Sequence, residues 1–203
     1  MKICLLATLL LMLSINIAKA QFGDNNAIYL SAEGNIGNYF GCDLNLNYVC
    51  KEKYSFKLGY IANTRKAKSQ PEDYTVGAPI EILSLGLIQT YDKLNGFQIG
   101  VGRIYKLNPS GTIRANLSVG LAYTIIEEPE NWKKVGDGVL TENYTWNYDK
   151  QKTVSLIINP KIEFPITRVW GLTVSPMLQI NKDRTYYGIG VGQMLGLLRK
   201  RRS

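Results

Sequence analysis

The 203-residue sequence contains no histidine. Histidine is the most frequent general base in enzymes and a common metal ligand, so its absence removes Ser–His and Cys–His catalysis and most metal-dependent hydrolysis. The sequence also lacks a phosphate-binding loop, a metal-ligand spacing and a dinucleotide fingerprint. The acidic residues Glu127, Glu128 and Glu130 flank Pro129 and are interpreted as a solvated segment. We therefore expect no enzymatic activity, no cofactor and no metal.

Cysteine is scarce, with three residues in the chain. Cys4 lies in the apolar run at the N-terminus, which leaves Cys42 and Cys50 in the remainder. These two cysteines share one alternating segment, and eight residues of strand would separate them by about 27 Å. A disulfide requires Cα atoms within about 7 Å. Both thiols are therefore expected to stay unpaired.

Long apolar runs are missing except at the N-terminus. There, the basic residue Lys2 precedes the apolar run Ile3–Leu13, and Ala18–Ala20 has the small-x-small pattern of a signal-peptidase site. These features predict that residues 1–20 are a secretory signal peptide that is removed. The longest later run, Tyr186–Leu198, has about half the length that a membrane-spanning helix needs. A protein exported in this way is either soluble or crosses a membrane as strands.

The formal net charge of +8 is unevenly distributed along the sequence. Four basic residues stand together in Arg199–Arg202, and the rest of the exported chain is close to neutral. This distribution gives no indication of nucleic-acid binding. We interpret residues 199–203 as a solvated basic tail, with contact to anionic lipid or a cell-wall polymer as the alternative. Residues 21–198 are predicted to form a single domain.

Alternation with a period of two dominates the domain. From Tyr39 to Cys50, apolar residues occupy the even positions and polar or small residues the odd ones, which predicts a strand with one apolar face. The sequence shows no helical period of useful length. Turn residues separate the runs at Cys50–Lys53, Asp92–Gly96, Asn108–Gly111 and Asn181–Asp183. Comparable runs occur at Ile28–Gly34, Tyr54–Tyr60, Phe97–Tyr105, Ile113–Tyr123, Val154–Phe164, Leu172–Ile180 and Tyr187–Leu195. The predicted fold is therefore all-β, an antiparallel up-and-down meander.

Two features indicate that the apolar faces point towards lipid. Glycine recurs on the polar face, where a narrow barrel interior needs room for neighbouring side chains. Aromatic residues also bracket the apolar faces, as Phe40 and Tyr48 do. Eight residues of strand tilted by about 40° rise roughly 21 Å, close to the apolar band of about 25 Å between aromatic girdles.

On these patterns the chain resembles the small outer-membrane β-barrel proteins of Gram-negative bacteria. The resemblance implies a closed transmembrane barrel of about 8–10 strands, a monomer that contacts outer-membrane lipid. It also implies a structural or surface-interaction role, with an unknown partner at the cell surface or cell wall. One departure is that the last run ends at Leu197 and Leu198, where such barrels usually end in an aromatic residue. The alternative is a soluble periplasmic or secreted lipocalin-like barrel that binds an apolar ligand.

The strand count is open between eight and ten. An exported barrel with both ends in the periplasm needs an even number of strands. The ten-strand count includes Ile28–Gly34 and adds Val139–Tyr148 as a further strand if the chain turns at Asp149–Gln151, and we prefer this count.

The count decides where the two long connections lie. With ten strands, Thr64–Pro79 lies outside the cell and Glu127–Gly138 in the periplasm. With eight strands, Glu127–Lys152 is one external loop and the first two runs form a single bent strand.

Charged and amide side chains on the polar parity are the candidate site residues. Inside a small barrel they would form a paired, hydrogen-bonded plug, and a small conductive or ligand-binding lumen is the alternative. Arg103 breaks the pattern because it falls on the apolar parity, where it would snorkel to the interface or mark a bulge. The predicted lumen-facing residues are Glu33, Asp43, Asn45, Asn47, Lys57, Arg114, Lys161 and Glu163.

Overall fold

A computed structural model describes residues 26–77, 90–136 and 141–198. The expected signal peptide and the basic tail lie outside these ranges. All regular structure in the described ranges is antiparallel β, and none of it is a helix of the length and apolarity needed to cross a membrane. The strands are β1 (Ala27–Gly37), β2 (Phe40–Cys50), β3 (Tyr54–Lys66), β4 (Tyr91–Lys106), β5 (Arg114–Lys134), β6 (Tyr144–Ile158), β7 (Lys161–Phe164), β8 (Trp170–Ile180) and β9 (Thr185–Leu197).

The strands form a closed ring. Each strand pairs with its neighbours in an antiparallel meander, and β1 pairs with β9 from Ile28 opposite Leu197 to Gly37 opposite Gly188. Closure satisfies the backbone groups that an open sheet would leave at its edges. The predicted all-β meander closed into a barrel is confirmed.

Strands β6 and β7 follow one another at the same position in the barrel wall, between β5 and β8. Both pair with β5 and with β8, and each register is the same on the two sides of the interruption. The interruption between Ile158 and Lys161 contains Pro160, which has no N–H to donate to the ladder. Asn159 still donates its backbone N–H to the Ser118 carbonyl oxygen at 2.9 Å. The nine strands therefore occupy eight positions around the barrel.

The preferred count of ten strands is wrong. Asp149–Gln151 lies in the middle of β6, and Asp92–Gly96 lies within β4, so neither segment is a turn. The alternative of eight positions is correct, but its assignment was not, because β1 and β2 are separate strands. Glu127–Lys152 is also mostly paired strand, formed by β5 and β6. The polar composition of this segment does not make it a loop, because strands that extend into water can pair through their backbones while carrying polar side chains on both faces.

The barrel has two distinct ends. The termini end carries Asn26, Leu198 and the short β2–β3, β4–β5 and β7–β8 connections. The loop end carries the β3–β4 connection and the β5–β6 hairpin, so the described parts of Thr64–Pro79 and Glu127–Gly138 belong to the same end. Their predicted placement on opposite sides of the membrane is therefore wrong.

The β2–β3 turn agrees with the sequence pattern. The Lys53 backbone N–H donates to the Cys50 carbonyl oxygen at 3.0 Å, and Lys51 and Glu52 both have a φ of 53°. Two positive φ angles characterise the type I′ turn that suits a tight hairpin. Cys42 is exposed on the outer face, Cys50 is half-buried, and both thiols are free, as expected.

The two faces of the wall differ sharply in polarity. On β2, Leu44 points outwards and is 55% exposed, whereas its neighbour Asn45 points inwards and is fully buried. Two apolar clusters lie inside the ring, one near each end. The loop-end cluster contains Tyr39, Ile61, Leu94, Ala122, Ile157, Met177 and Tyr186, and the termini-end cluster contains Ala27, Tyr29, Val49, Ile104, Met194 and Leu198.

Candidate functional site

The barrel interior holds all eight of the residues singled out from the sequence. Each is buried, and they lie on β1, β2, β3, β5 and β7 with their side chains on the inward parity. The structure brings them together between the two apolar clusters. We call these residues and their hydrogen-bond partners the interior network.

Glu163 is the centre of the first part of the interior network. Its Oε2 accepts from Arg114 Nη2 at 2.6 Å and Nε at 3.1 Å, and its Oε1 accepts from Tyr29 Oη at 2.8 Å and Asn116 Nδ2 at 3.0 Å. The remaining Arg114 Nη1 donates to the Leu198 carbonyl oxygen at 3.0 Å. Four donors to one carboxylate compensate the cost of burying its charge.

Glu33 is the centre of the second part. It forms an ion pair with Lys161 and accepts a hydrogen bond from the Ser175 hydroxyl. Gly190 makes room for this contact. A Cβ at position 190 would approach Asn35 Oδ1 most closely and would lie 2.8 Å from Ser175 Oγ and 3.2 Å from Glu33 Oε2, so a larger residue would displace these side chains.

The side chains of the other predicted residues make at most two hydrogen bonds. Lys57 Nζ donates to Asn159 Oδ1 at 3.0 Å, and Asn45 Oδ1 accepts from Gln98 Nε2 at 2.7 Å. Asn47 Nδ2 donates to Ser31 Oγ at 3.0 Å and to the Asn45 backbone carbonyl oxygen at 3.2 Å. Asp43 is buried, and its two carboxylate oxygens have no hydrogen-bond partner among the described side chains and backbone.

Several members of the interior network were not recognised in the sequence. Tyr29, Asn116, Asn159 and Ser175 all contribute hydrogen bonds to it. Their position in the sequence could have identified them, because each lies on the polar face of its alternating run, and that face points into the barrel. The predicted set contains mostly charged side chains, with Asn45 and Asn47 as its amides, and it contains no hydroxyl side chain.

The interior network consists of buried side chains joined by ion pairs and hydrogen bonds. It contains three basic and three acidic side chains, so it is neutral overall. Buried apolar side chains lie on either side of it along the barrel, in the loop-end and termini-end clusters. The part of the chain that the structure describes has no group of three carboxylate or thiol side chains that could hold a metal ion.

A second assembly of side chains lies at the loop end, and we call it the aromatic cluster: Tyr74, Trp132, Tyr144 and Trp146. The Trp132 and Trp146 rings stack with centroids 5.0 Å apart. Tyr74 meets both tryptophans edge-on, at 5.4 and 5.8 Å, and Tyr144 meets Trp132 at 6.1 Å. The cluster therefore joins the β3–β4 connection to the β5–β6 hairpin.

Polar contacts surround the aromatic cluster. Asp73 accepts from Lys134 Nζ at 2.7 Å and from Tyr144 Oη at 2.7 Å, and these two hydrogen bonds lower the pKa of Asp73. Tyr74 donates to the Glu142 carboxylate, and partial burial together with this bond raises the pKa of Tyr74 to about 12. At neutral pH Asp73 is therefore ionised and the Tyr74 phenol is neutral.

The hairpin also carries a shallow polar depression beside Trp146. It encloses about 370 Å³ and is lined by Asn131, Lys133, Thr145, Trp146 and Asn147. Asn131 has a φ of 58° and lies where the β5–β6 register shifts between Glu130 and Lys133. This bulge turns Trp132 towards the aromatic cluster.

No protein-family model and no curated protein matches the sequence. Solved structures of outer-membrane β-barrels do match it. The N-terminal β-barrel domain of Pseudomonas aeruginosa OprF is 13% identical with a TM-score of 0.49, and the match covers 86% of this chain and 99% of that chain. Ail, the attachment invasion locus protein of Yersinia pestis, is 9% identical with a TM-score of 0.47, covering 85% and 95%. Neisserial surface protein A is 12% identical with a TM-score of 0.48, covering 84% and 95%.

The likeness to these proteins is one of fold alone. The assignment of this chain to a closed barrel rests on its own strand pairing, from β1 through to the β1–β9 closure.

Proposed function

We propose that the chain is an integral outer-membrane β-barrel protein with a sealed interior and no catalytic role. The observation that carries this proposal is the inverted distribution of polarity. Apolar side chains are exposed on the outer face of β1 to β9, as Leu44, Leu58, Ile99, Val119 and Ile189 illustrate with exposures above 50%. In water such a continuous apolar surface would aggregate, whereas in a bilayer it faces acyl chains.

The interior opposes the alternative of a soluble lipocalin-like carrier. Such a barrel needs an apolar cavity for its ligand. Here the middle of the barrel contains ion pairs and amide hydrogen bonds, with Arg114, Glu163 and Lys161 each 5% exposed or less. An apolar ligand would have to replace these buried charges at a large cost in free energy.

The loop end supports a surface-interaction role. Strand β4 first pairs with β5 at Lys93 opposite Glu127, and β8 pairs with β6 only at Leu156–Ile158. The β5–β6 hairpin therefore projects beyond its neighbours, and it presents the aromatic cluster and the polar depression. We propose that this hairpin contacts partners outside the cell, because half-buried tryptophan and tyrosine are enriched at recognition surfaces.

Fractionation tests the membrane assignment. The full-length chain is expressed in a Gram-negative host, and its outer membranes are washed with carbonate. We expect the protein to stay in the pellet until detergent is added, and to migrate differently on gels before and after boiling. Recovery in the periplasmic fraction, or release by carbonate alone, would show that the barrel is soluble.

A further inference from the structure

The two ends of the barrel differ in charge. The loop end carries ten basic and nine acidic side chains within the described ranges, many of them in ion pairs such as Arg184 with Glu128. The termini end carries five basic side chains and one acidic side chain, Glu52, which pairs with Lys106. We call the five basic residues of the termini end the basic collar: Lys51, Lys53, Arg103, Lys106 and Arg168.

Two collar residues lie on the outer wall beside aromatic rings. Lys53 Nζ is 5.3 Å from the centre of the Tyr54 ring, and Arg103 Cζ is 5.3 Å from the centre of the Tyr105 ring. The register through Arg103 is unbroken on both sides, which excludes the bulge considered from the sequence. Both cations are exposed at the edge of the apolar face, the position from which long basic side chains snorkel to headgroups.

The last described residue lies at the basic collar. The Leu198 backbone N–H donates to the Arg168 carbonyl oxygen at 2.8 Å, and the Leu198 carbonyl oxygen accepts from Arg114. The sequence continues from that point with four basic residues, Arg199–Arg202.

We propose that the basic collar binds anionic phospholipid headgroups at the periplasmic face of the outer membrane. This proposal rests on the membrane function proposed above and adds a lipid class to it. Clustered cations at a membrane surface attract anionic lipids, and the attraction weakens with ionic strength. The sideways position of Lys53 and Arg103, level with Tyr54 and Tyr105, favours headgroups over a polymer lying below the membrane.

Spin-labelled lipids test the proposal directly. The mature chain, with its tail, is inserted into phosphatidylcholine vesicles that contain spin-labelled phosphatidylglycerol or spin-labelled phosphatidylcholine. Electron spin resonance then gives the fraction of each label held at the barrel wall. We expect the immobilised fraction of phosphatidylglycerol to exceed that of phosphatidylcholine about twofold to threefold at low salt. This ratio should approach one at about 1 M salt.

Two double variants that remove the same charge show which end of the barrel causes the lipid preference. Lys53→Gln with Arg103→Gln should reduce the preference to near one. Lys152→Gln with Lys182→Gln removes the same charge from exposed positions at the loop end and should leave the preference unchanged. An absent preference, or an equal loss in both double variants, would overturn the proposal.

Two further outcomes separate the explanations. If the collar variant keeps its lipid preference but sediments less with purified peptidoglycan sacculi than the unchanged chain, the collar serves the cell-wall polymer and the lipid proposal is overturned. If no immobilised lipid is detected with either label, the chain does not span the bilayer, and the proposed membrane function fails before the collar is tested.

Discussion

At the scale of single residues, neighbouring positions on one strand face different solvents. Leu44 and Asn45 are adjacent in β2, yet the first lies on the apolar outer face and the second accepts a hydrogen bond inside the barrel. This contrast allows the solvent of each face to be tested separately.

Leu44→Arg should destabilise the folded barrel by about 2–4 kcal/mol, because it places a charge at the middle of the lipid-facing surface. Leu44→Val is the matched control, since it keeps the side chain apolar, and its unfolding should differ little from that of the unchanged chain. Urea unfolding in lipid vesicles, followed by tryptophan fluorescence, measures both. Equal stability of the Arg and Val variants would contradict a lipid-facing β2.

Glu163→Gln should destabilise the barrel by about 3–5 kcal/mol, because it leaves Arg114 buried without its counter-charge. The exposed pair of Glu52 with Lys106 provides the control, and Glu52→Gln should leave the unfolding midpoint unchanged. Denaturant unfolding of the two variants in the same vesicles gives the comparison. A Glu163 variant as stable as the control would show that the ion pair does not hold the interior together.

The residues of the interior network could be chosen from the sequence, but their partners could not. Inward parity on an alternating strand identifies Glu33, Asp43 and Glu163 without any structure. Which of them meets Lys161 depends on how β1 and β7 are placed across the barrel, and no local pattern encodes that. Glu33 and Lys161 are far apart in the chain and are joined only by closure of the ring.

At the scale of elements, strand length was harder to predict than strand existence. The apolar alternation on β5 ends near Tyr123, where the outer face stops being apolar, but the strand continues to Lys134. Beyond that point, pairing is maintained by the backbone ladder to β6 and by contacts such as Lys150 with Glu127. Alternation of apolar and polar residues appears only where the two faces of a strand meet different surroundings. Where both faces are polar the alternation disappears, although the strand continues.

The loop-end contact between Asp73 and the hairpin should depend on pH. Hydrogen bonds from Lys134 and Tyr144 lower the pKa of Asp73, so the folded state favours the ionised carboxylate. The contact therefore contributes fully above the ordinary aspartate pKa of about 3.9 and is lost as the pH falls through the lower native value. Trp132 lies beside this contact and should report its loss as a fluorescence change below about pH 4.

Asp73→Asn should remove that acid transition, because the amide carries no titrating charge. Glu72→Gln changes the neighbouring exposed carboxylate and should keep the transition of the unchanged chain. Persistence of the same transition in the Asn variant would assign it to another group at the loop end.

At the scale of the whole molecule, the sequence predicted the class of fold better than its strand count. Period-two alternation and inward glycines indicated a closed barrel with lipid outside, and the ring of strands agrees with this. The strand count failed because part of the polar β5–β6 hairpin was counted as an extra strand, with a turn at Asp149–Gln151, which lies within β6. Closure between β1 and β9 can be predicted only from the global requirement that a membrane sheet has no free edge.

Leu198 is the last described residue of the barrel wall, where it is almost fully buried and its backbone bonds to Arg168 and Arg114. Deleting Arg199–Ser203 should leave the heat-dependent gel shift unchanged and assembly in the outer membrane equal or improved, because the β1–β9 pairing and the buried Leu198 are retained.

Deleting Leu198 as well provides the matched comparison. That variant loses a buried leucine, worth about 1.5–3 kcal/mol, and the carbonyl oxygen that Arg114 Nη1 contacts. We expect less heat-shifted protein in outer-membrane fractions of this variant than of the one that ends at Leu198. A marked loss of assembled protein on removal of residues 199–203 alone would instead show that the basic tail takes part in insertion.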